Sequence, residues 1–384
     1  MQINIGFIGG GPRARSLWNS LISSPEMEEK VYPKAVLDIN QDTLKSWKYL
    51  VDKTHNNLDS FLKEDLNAVI IATPPNTHAY FAKKSLEIGL NTWCEVPMAL
   101  SIDEIFEIID AEKSNKSNNG HYFYGENYCY HLTPQFMALK NSENAIGDIY
   151  YSEGEYTHSV EHYMIEENYF HKVDPELDPE LHLNTKPTWR ANFEPIKYGH
   201  AFGPCLYVLK KNKFNIDERP ICVCAIGNMK MQKRFKTDNF QIALVKTNKD
   251  TIIKFVIGFV LGHHGRIFVS FCGTRGIFVE GSYQSEGKHY FVEVPEKDGF
   301  YPKRLSYKPM ILTNEDLIKI GTPTGKGSHG GADSLMFKVW IKNILNKEKF
   351  DINVFDGAEM TAPGIYASNS IKENKFFDIP NFRK

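Results

Sequence analysis

The stretch F7-I-G-G-G-P-R-A14 limits what this chain can fold into more than any other. An apolar run, I3-N-I-G-F-I8, ends in three glycines, and Pro12 then opens a helical pattern. A strand turned this tightly into a helix is the first half of a βαβ unit. Four more short strands follow at Lys34–Leu37, Ala68–Ala72, Asn91–Cys94 and Tyr122–Tyr124, with helical stretches among them. Thr77 reads as the cap of a helix ending at Gly89, and S101-I-D-E104 as a capping box. Behind that box Ile102, Ile105, Phe106 and Ile109 fall on one helical stripe. Such alternation predicts a doubly wound parallel sheet, and N115-K-S-N-N-G120 is a polar loop before its last strand.

From Gly147 the strands lengthen and alternate: Asp148–Thr157, Pro220–Ile226, Phe240–Val245, Thr251–Ile257 and Arg266–Phe271. They predict a second, mostly antiparallel sheet with one covered face, and N248-K-D250 reads as a hairpin turn. The fold class is therefore α/β, with a parallel domain over residues 1–125 and a second α/β domain over 126–384. A helix near Asp333–Asn346 is expected to pack on one of them, and the polar segment 284–327 has no legible pattern. Two domains also suit 384 residues.

A formal net charge of −2 provides no basic field for nucleic acid or an anionic membrane. No apolar run approaches the ~20 residues of a membrane span, and the first strand leaves no room for a signal peptide. None of the six cysteines has paired metal spacing, Cys222 and Cys224 reading as strand core, so a reduced, cytoplasmic protein is expected.

Gly9, Gly11 and Ala14 form a variant of the dinucleotide fingerprint. Gly9 permits the turn, Gly11 lets a pyrophosphate reach the backbone, and Ala14 lets the helix lie against the sheet. The helix N-terminus then offers free N–H groups to phosphate. Asp38 closes the second strand 24 residues beyond Ala14, where a carboxylate accepts ribose hydroxyls and repels a 2′-phosphate. That favours NAD over NADP; the lesser alternative is Asp38 as a helix or turn cap, and Arg13 leaves NADP open.

The next run, I70-I-A-T-P-P-N-T-H78, resembles the Gfo/Idh/MocA family of sugar and cyclitol oxidoreductases. In that family a T-P-x-x-x-H turn lies along the nicotinamide half of the cofactor, and Thr73, Pro74, Asn76 and His78 match it. Where the family then has C-E-K-P, this chain has Cys94-Glu95-Val96-Pro97. E126-N-Y128, the strand from Gly147 to Tyr156, Trp189-Arg190, the expected helix Y-G-H-A-F-G-P over Tyr198–Pro204, G330-G-A-D333 and I379-P-N-F382 have counterparts in the same order. The resemblance implies a Rossmann domain plus an α/β domain with a large open sheet. It adds Pro12, Glu95, Asn127 and Trp189 to the cofactor-binding set and implies a homodimer or homotetramer. Val96, His200 in G-H-A-F-G-P, and D351-I-N-V-F-D-G-A358 are similar to one branch, which includes NAD-dependent glycosidases acting on N-acetylgalactosaminides. Two departures stand out: Lys197 replaces that branch's tyrosine three positions before the histidine, and the stretch after Arg190 is shorter.

Oxidising a sugar hydroxyl requires a base, and His200 is the candidate, its alternative being a helix-start histidine bonded to its own backbone. In the family the lysine of E-K-P steadies the developing alkoxide, which Val96 cannot do. Lys197, if helical with His200, shares its face and can supply the charge; it could also be a surface lysine. Arg190 is a second cation, and Glu126 and Tyr156 match substrate-contacting positions, Tyr156 being equally able to serve as core. His263-His264 reads as a turn, while His121, His131, His171 and His182 read as structural or surface. His158 and His162 have no carboxylate framework for a metal, so no metal is expected, and His329 has no derivable role. The leading expectation is NAD-dependent hydride transfer from a sugar, amino sugar or sugar-like polyol. The alternative is a glycosidase or lyase that retains NAD and oxidises C3 transiently; a third reading is a dinucleotide-binding regulator without turnover.

Overall fold

The computed structural model describes residues 2–23, 25–115, 120–158, 188, 190, 193–228, 240–259, 266–279, 290–293, 306–309, 312–321 and 328–384. Contacts divide the chain into two compact units, one of residues 1–136, 313–362 and 382–384, the other of 137–312 and 363–381.

The first unit holds six parallel strands: β1 (Ile3–Ile8), β2 (Val31–Leu37), β3 (Lys53–His55), β4 (Ala68–Ile71), β5 (Asn91–Cys94) and β6 (Tyr122–Tyr124). Their order, β3-β2-β1-β4-β5-β6, is that of a doubly wound sheet. β2 begins earlier than the pattern predicts, because Pro33 sits at a register shift opposite Ile5 and Gly6, where a missing N–H is tolerated. Its neighbour β3 is only three residues long and eluded the pattern. Ser101 and Glu104 form the expected capping box, and the helix Ile102–Ser114 buries Ile105, Ile108, Ile109 and Ala111. Phe106 is instead exposed, so the stripe is rotated from the one expected. Thr77 does not cap its helix; its hydroxyl donates to the Pro74 carbonyl and lies 2.8 Å from Thr73 Oγ1.

The helix Ala332–Asn346 packs within this unit. Phe337 stacks on Trp93 of β5 at 4.2 Å and Trp340 meets the same ring edge-on at 5.3 Å. Burying each such ring is worth about 1.5–3 kcal/mol, enough to fix the start of that helix on the sheet.

The second unit is built on a nine-stranded sheet, ordered β14-β13-β12-β11-β7-β10-β9-β8-β15. Its strands are β7 (Ile149–Thr157), β8 (Pro220–Asn228), β9 (Phe240–Thr247), β10 (Ile252–Gly258), β11 (Arg266–Gly273), β12 (Ile277–Val279), β13 (Tyr290–Glu293), β14 (Ser306–Pro309) and β15 (Phe377–Asp378). Only β7 and β10 pair in parallel among these strands, so the sheet is mostly antiparallel as expected. β13, β14 and the helix Asn314–Ile320 fall in the stretch that had no legible pattern.

Gly154 lets the backbone turn Gly199–Ala201 lie directly on β7: a Cβ there would stand 1.9 Å from the Ala201 carbonyl oxygen. The helix expected over Tyr198–Pro204 is broken. Tyr198 is extended, with short 3-10 turns on either side, and the α-helix Gly203–Lys210 begins only afterwards. Pro204 lacks the N–H that a continuous helix from Tyr198 would donate to the His200 carbonyl.

Candidate active site

The carboxyl edge of the first unit's sheet carries the dinucleotide features. Gly9 has φ +86°, and a Cβ there would meet the Ala72 carbonyl oxygen at 2.9 Å. Beside Gly11 a Cβ would meet nothing within 4 Å, which leaves the backbone open to a pyrophosphate. The helix Pro12–Ile22 starts there without a side-chain cap, and Ala14 is buried beneath it. One carboxylate oxygen of Asp38 accepts the Gly10 N–H and the other the Asn40 N–H, both at 2.8 Å. Asp38 is thus a turn brace, and each of its oxygens keeps a further lone pair.

At the end of β4, Pro74 and Asn76 are exposed and Thr73 is half-buried. His78 is buried, its ring nitrogens 2.8 Å from the Pro97 and Thr73 carbonyl oxygens. Burial pushes its pKa down, against the pull of those carbonyls. It therefore braces the turns carrying Thr73 and Pro97, with both ring nitrogens taken up by backbone carbonyls. Val96 is 6% exposed and precedes a cis proline bond.

Glu95 accepts from Arg13 at 3.0 Å, and Arg13 also donates to both oxygens of Asp333, at 2.8 and 3.3 Å. The guanidinium is committed to two carboxylates of its own unit, which leaves no sign of the 2′-phosphate partner that kept NADP open. Asp333, with a fully buried side chain, further accepts from Asn127 Nδ2 at 3.0 Å and from Ser328, and has His329 Nδ1 at 3.0 Å. Burial alone would raise the Asp333 pKa, but the hydrogen bonds from His329 and Arg13 and the Arg13 charge hold it well below the usual carboxylate range. Asn127 Oδ1 is buried with no partner among the described residues. This orphaned acceptor and the open Gly11 cradle fit a dinucleotide rich in hydroxyl and amide donors. Glu126 is wholly buried and accepts the Tyr128 N–H at 3.2 Å, which sets it inside the unit rather than on a surface open to sugar.

The second unit carries an aromatic cluster around His200. The Tyr156 ring meets the imidazole edge-on at 4.9 Å, and the Tyr198 ring lies roughly parallel to it at 5.7 Å. Phe259 contacts both tyrosines, and Arg190 donates to Tyr198 Oη at 3.0 Å. Lys197 does not share a helical face with His200, because Tyr198 separates their turns. Its ammonium pairs with Glu194 at 2.8 Å, and Lys372 and Ser368 bind the same carboxylate. Burial works to raise the Glu194 pKa, but hydrogen bonds from Lys197, Lys372 and Ser368 hold it down at about 2.

Tyr198 and Asp333 were not singled out in the sequence as site residues. A tyrosine displaced one position from the branch's usual place, and an aspartate following two glycines at a helix start, were the available signals. Trp189, His162, His171, His182, His263 and His264 lie outside the described residues. His121 pairs with Glu112, His131 stacks on Tyr128, and His158 sits beside Tyr156. No group of three metal-ligating side chains, and no helix long and apolar enough to cross a membrane, occurs among the described residues.

Residues 3–120 match the oxidoreductase family with the NAD-binding Rossmann fold, GFO_IDH_MocA. The fold agrees with solved structures of levoglucosan dehydrogenase in complex with NADH and L-sorbose (TM-score 0.78, 17% identity, all of both chains). It also agrees with myo-inositol 2-dehydrogenase from Lactobacillus plantarum (TM-score 0.69, 16% identity, 99% of this chain and 100% of that one). Residues 3–120 are thus similar to the NAD-binding domain of that oxidoreductase family, and the whole chain shares the fold of these solved structures. Residues 225–384 match the C-terminal domain of glycosyl hydrolase 109. Glycosyl hydrolase family 109 proteins of Shewanella baltica (24% identity) and Streptomyces niveus (21%) align with the whole chain and with 85% and 78% of their own lengths.

Proposed function

We propose that this protein is an NAD-dependent oxidoreductase that removes hydride from a hydroxyl-bearing carbon of a sugar, amino sugar or sugar-like polyol. The observation that carries the reading is the His200 imidazole set against the rings of Tyr156 and Tyr198. Aromatic faces hold the apolar faces of a sugar ring, while the imidazole is suited to proton transfer near neutral pH. NAD, when bound, supplies the hydride acceptor. Gly9, Gly11, Pro12 and the first-turn N–H groups hold its pyrophosphate and Asp38 a ribose. Thr73, Pro74, Asn76, Glu95 and Asn127 serve the nicotinamide half. One ring nitrogen of His200 takes the hydroxyl proton. Arg190, acting through the Tyr198 hydroxyl, supplies the positive charge that Val96 cannot, while Lys197 stays with Glu194.

The wild-type protein, incubated with NAD+ and a panel of pyranoses, N-acetylhexosamines and inositols, should form NADH, followed by absorbance. His200→Ala should slow that reaction by about 10²–10⁴-fold and leave NADH binding intact. An undiminished rate in the variant removes His200 from the chemistry. NADH binding without turnover of any substrate would indicate the regulator instead.

A second reading, a glycosidase that retains its NAD, is favoured by the match of residues 225–384 to the glycosyl hydrolase 109 C-terminal domain. Transient oxidation at C3 would acidify the C2 proton, and the aglycone would leave by elimination. Water would add at C1 with return of a proton to C2, and hydride from the cofactor would then restore the C3 hydroxyl. Release of nitrophenol from a nitrophenyl N-acetylgalactosaminide without net NADH would select it. A homodimer or homotetramer in the cytoplasm completes the proposal. Its supports are Ile226, Leu244 and Ile252, exposed on one face of the β8-β9-β10 sheet, and six free cysteines.

A further inference from the structure

His329, Gly330 and Gly331 have left-handed backbones, with φ of +53°, +62° and +92°, immediately before the helix Ala332–Asn346. The glycines adopt this conformation freely, whereas a histidine does so against its steric preference. A third glycine would make the turn more easily, so the imidazole must contribute something that the backbone does not need.

Its surroundings indicate what. Nδ1 lies 3.0 Å from an oxygen of the buried, ionised Asp333. A carboxylate only accepts, so Nδ1 carries a proton, and in the singly protonated ring Nε2 is then the acceptor. The side chain is 37% exposed, and Nε2 has no partner among the described residues. The same carboxylate takes the Nδ2 donor of Asn127, leaving Oδ1 without a partner among those residues. It also takes Arg13, two positions beyond Gly11 on the helix of the glycine turn. Asp333 therefore turns the donor ends of two neighbours toward itself and their acceptor ends away. Acceptors in such a place select hydroxyl or amide donors and reject phosphate.

We propose that His329 is a cofactor-binding residue whose Nε2 accepts a hydrogen bond from a hydroxyl or carboxamide on the nicotinamide half of NAD, with Asp333 as its positioning residue. The inference rests on NAD being the ligand of this unit.

The test uses the full chain freed of nucleotide and titrated with NADH by fluorescence and with ADP by calorimetry. His329→Gly keeps the turn, so its melting temperature should equal or exceed that of the wild type. NADH affinity should fall five- to twentyfold while ADP, which lacks the nicotinamide half, binds as before. His329→Asn, which tolerates the left-handed backbone, should behave likewise. NADH affinity within twofold of wild type in both variants, or an equal loss for ADP, would overturn the assignment. Wild-type protein that binds ADP and NADH equally would also overturn it, and one that binds neither would refute the NAD reading itself.

Discussion

Each unit contains a carboxylate that gathers several donors, and the two do different work. Asp333 has a fully buried side chain and holds Arg13, Asn127 and His329 in one geometry. Glu194 is 21% exposed and ties down the flexible Lys197 and Lys372. Burial makes the first an organiser, because every lone pair must be matched and each partner is thereby oriented. Partial hydration makes the second mainly a neutraliser. It absorbs the lysine that sequence reasoning put forward as catalytic. The largest expected effect tests this contrast. Asp333→Ala leaves the Arg13 charge poorly compensated and should cost about 3–5 kcal/mol in urea unfolding. Glu194→Ala should cost about 1 kcal/mol, and equal losses would end the distinction.

Two glycines sharpen the comparison at the next level. In the second unit a Cβ on Gly154 would collide with the Ala201 backbone, adjacent to His200. Gly154→Ala should therefore lower stability by about 1–3 kcal/mol and reduce turnover more than NADH affinity. In the first unit a Cβ on Gly11 meets only open space, and its φ of −66° suits alanine. Gly11→Ala should fold normally and weaken NADH binding instead. If both variants lost the same property, the assignment of cofactor to one unit and proton transfer to the other would fail.

What could be read from the sequence followed the range of the interactions concerned. β1, β5 and β6 match their predicted bounds, and the Ser101–Glu104 capping box is present, because each depends on residues a few positions apart. The glycine turn was legible for the same reason. The Asp333 cluster was not, since Arg13 and Asp333 are 320 positions apart and no local pattern links them. G330-G-A-D333 could be recognised as a motif, but its partners had to come from the fold. Lys197 failed differently. Helical spacing from His200 was assumed across Tyr198, whose extended backbone removes it. The displaced tyrosine instead sets its ring beside the imidazole and takes a hydrogen bond from Arg190.

The smallest effect lies in the acid limb of stability. The Glu194 carboxyl is held at about 2 in the folded protein, against an ordinary value of 4.5. A depressed carboxylate contributes fully above its unfolded pKa and loses that contribution as pH falls through the folded one. The window is therefore from about pH 4.5 down to about pH 2. Solvent screening of this partly exposed pair limits the contribution to about 1 kcal/mol. Asp333 is also depressed and weakens in overlapping acid, so the wild-type curve alone cannot isolate Glu194. The difference between wild type and Glu194→Gln can: it should be greatest above pH 5 and vanish toward pH 2. Lys197→Ala should show less than half of that difference, because Lys372 and Ser368 still hold the carboxylate. A Lys197→Ala curve that coincides with Glu194→Gln would make Lys197 the dominant partner, and a pH-independent difference would mean that Glu194 acts through packing rather than charge.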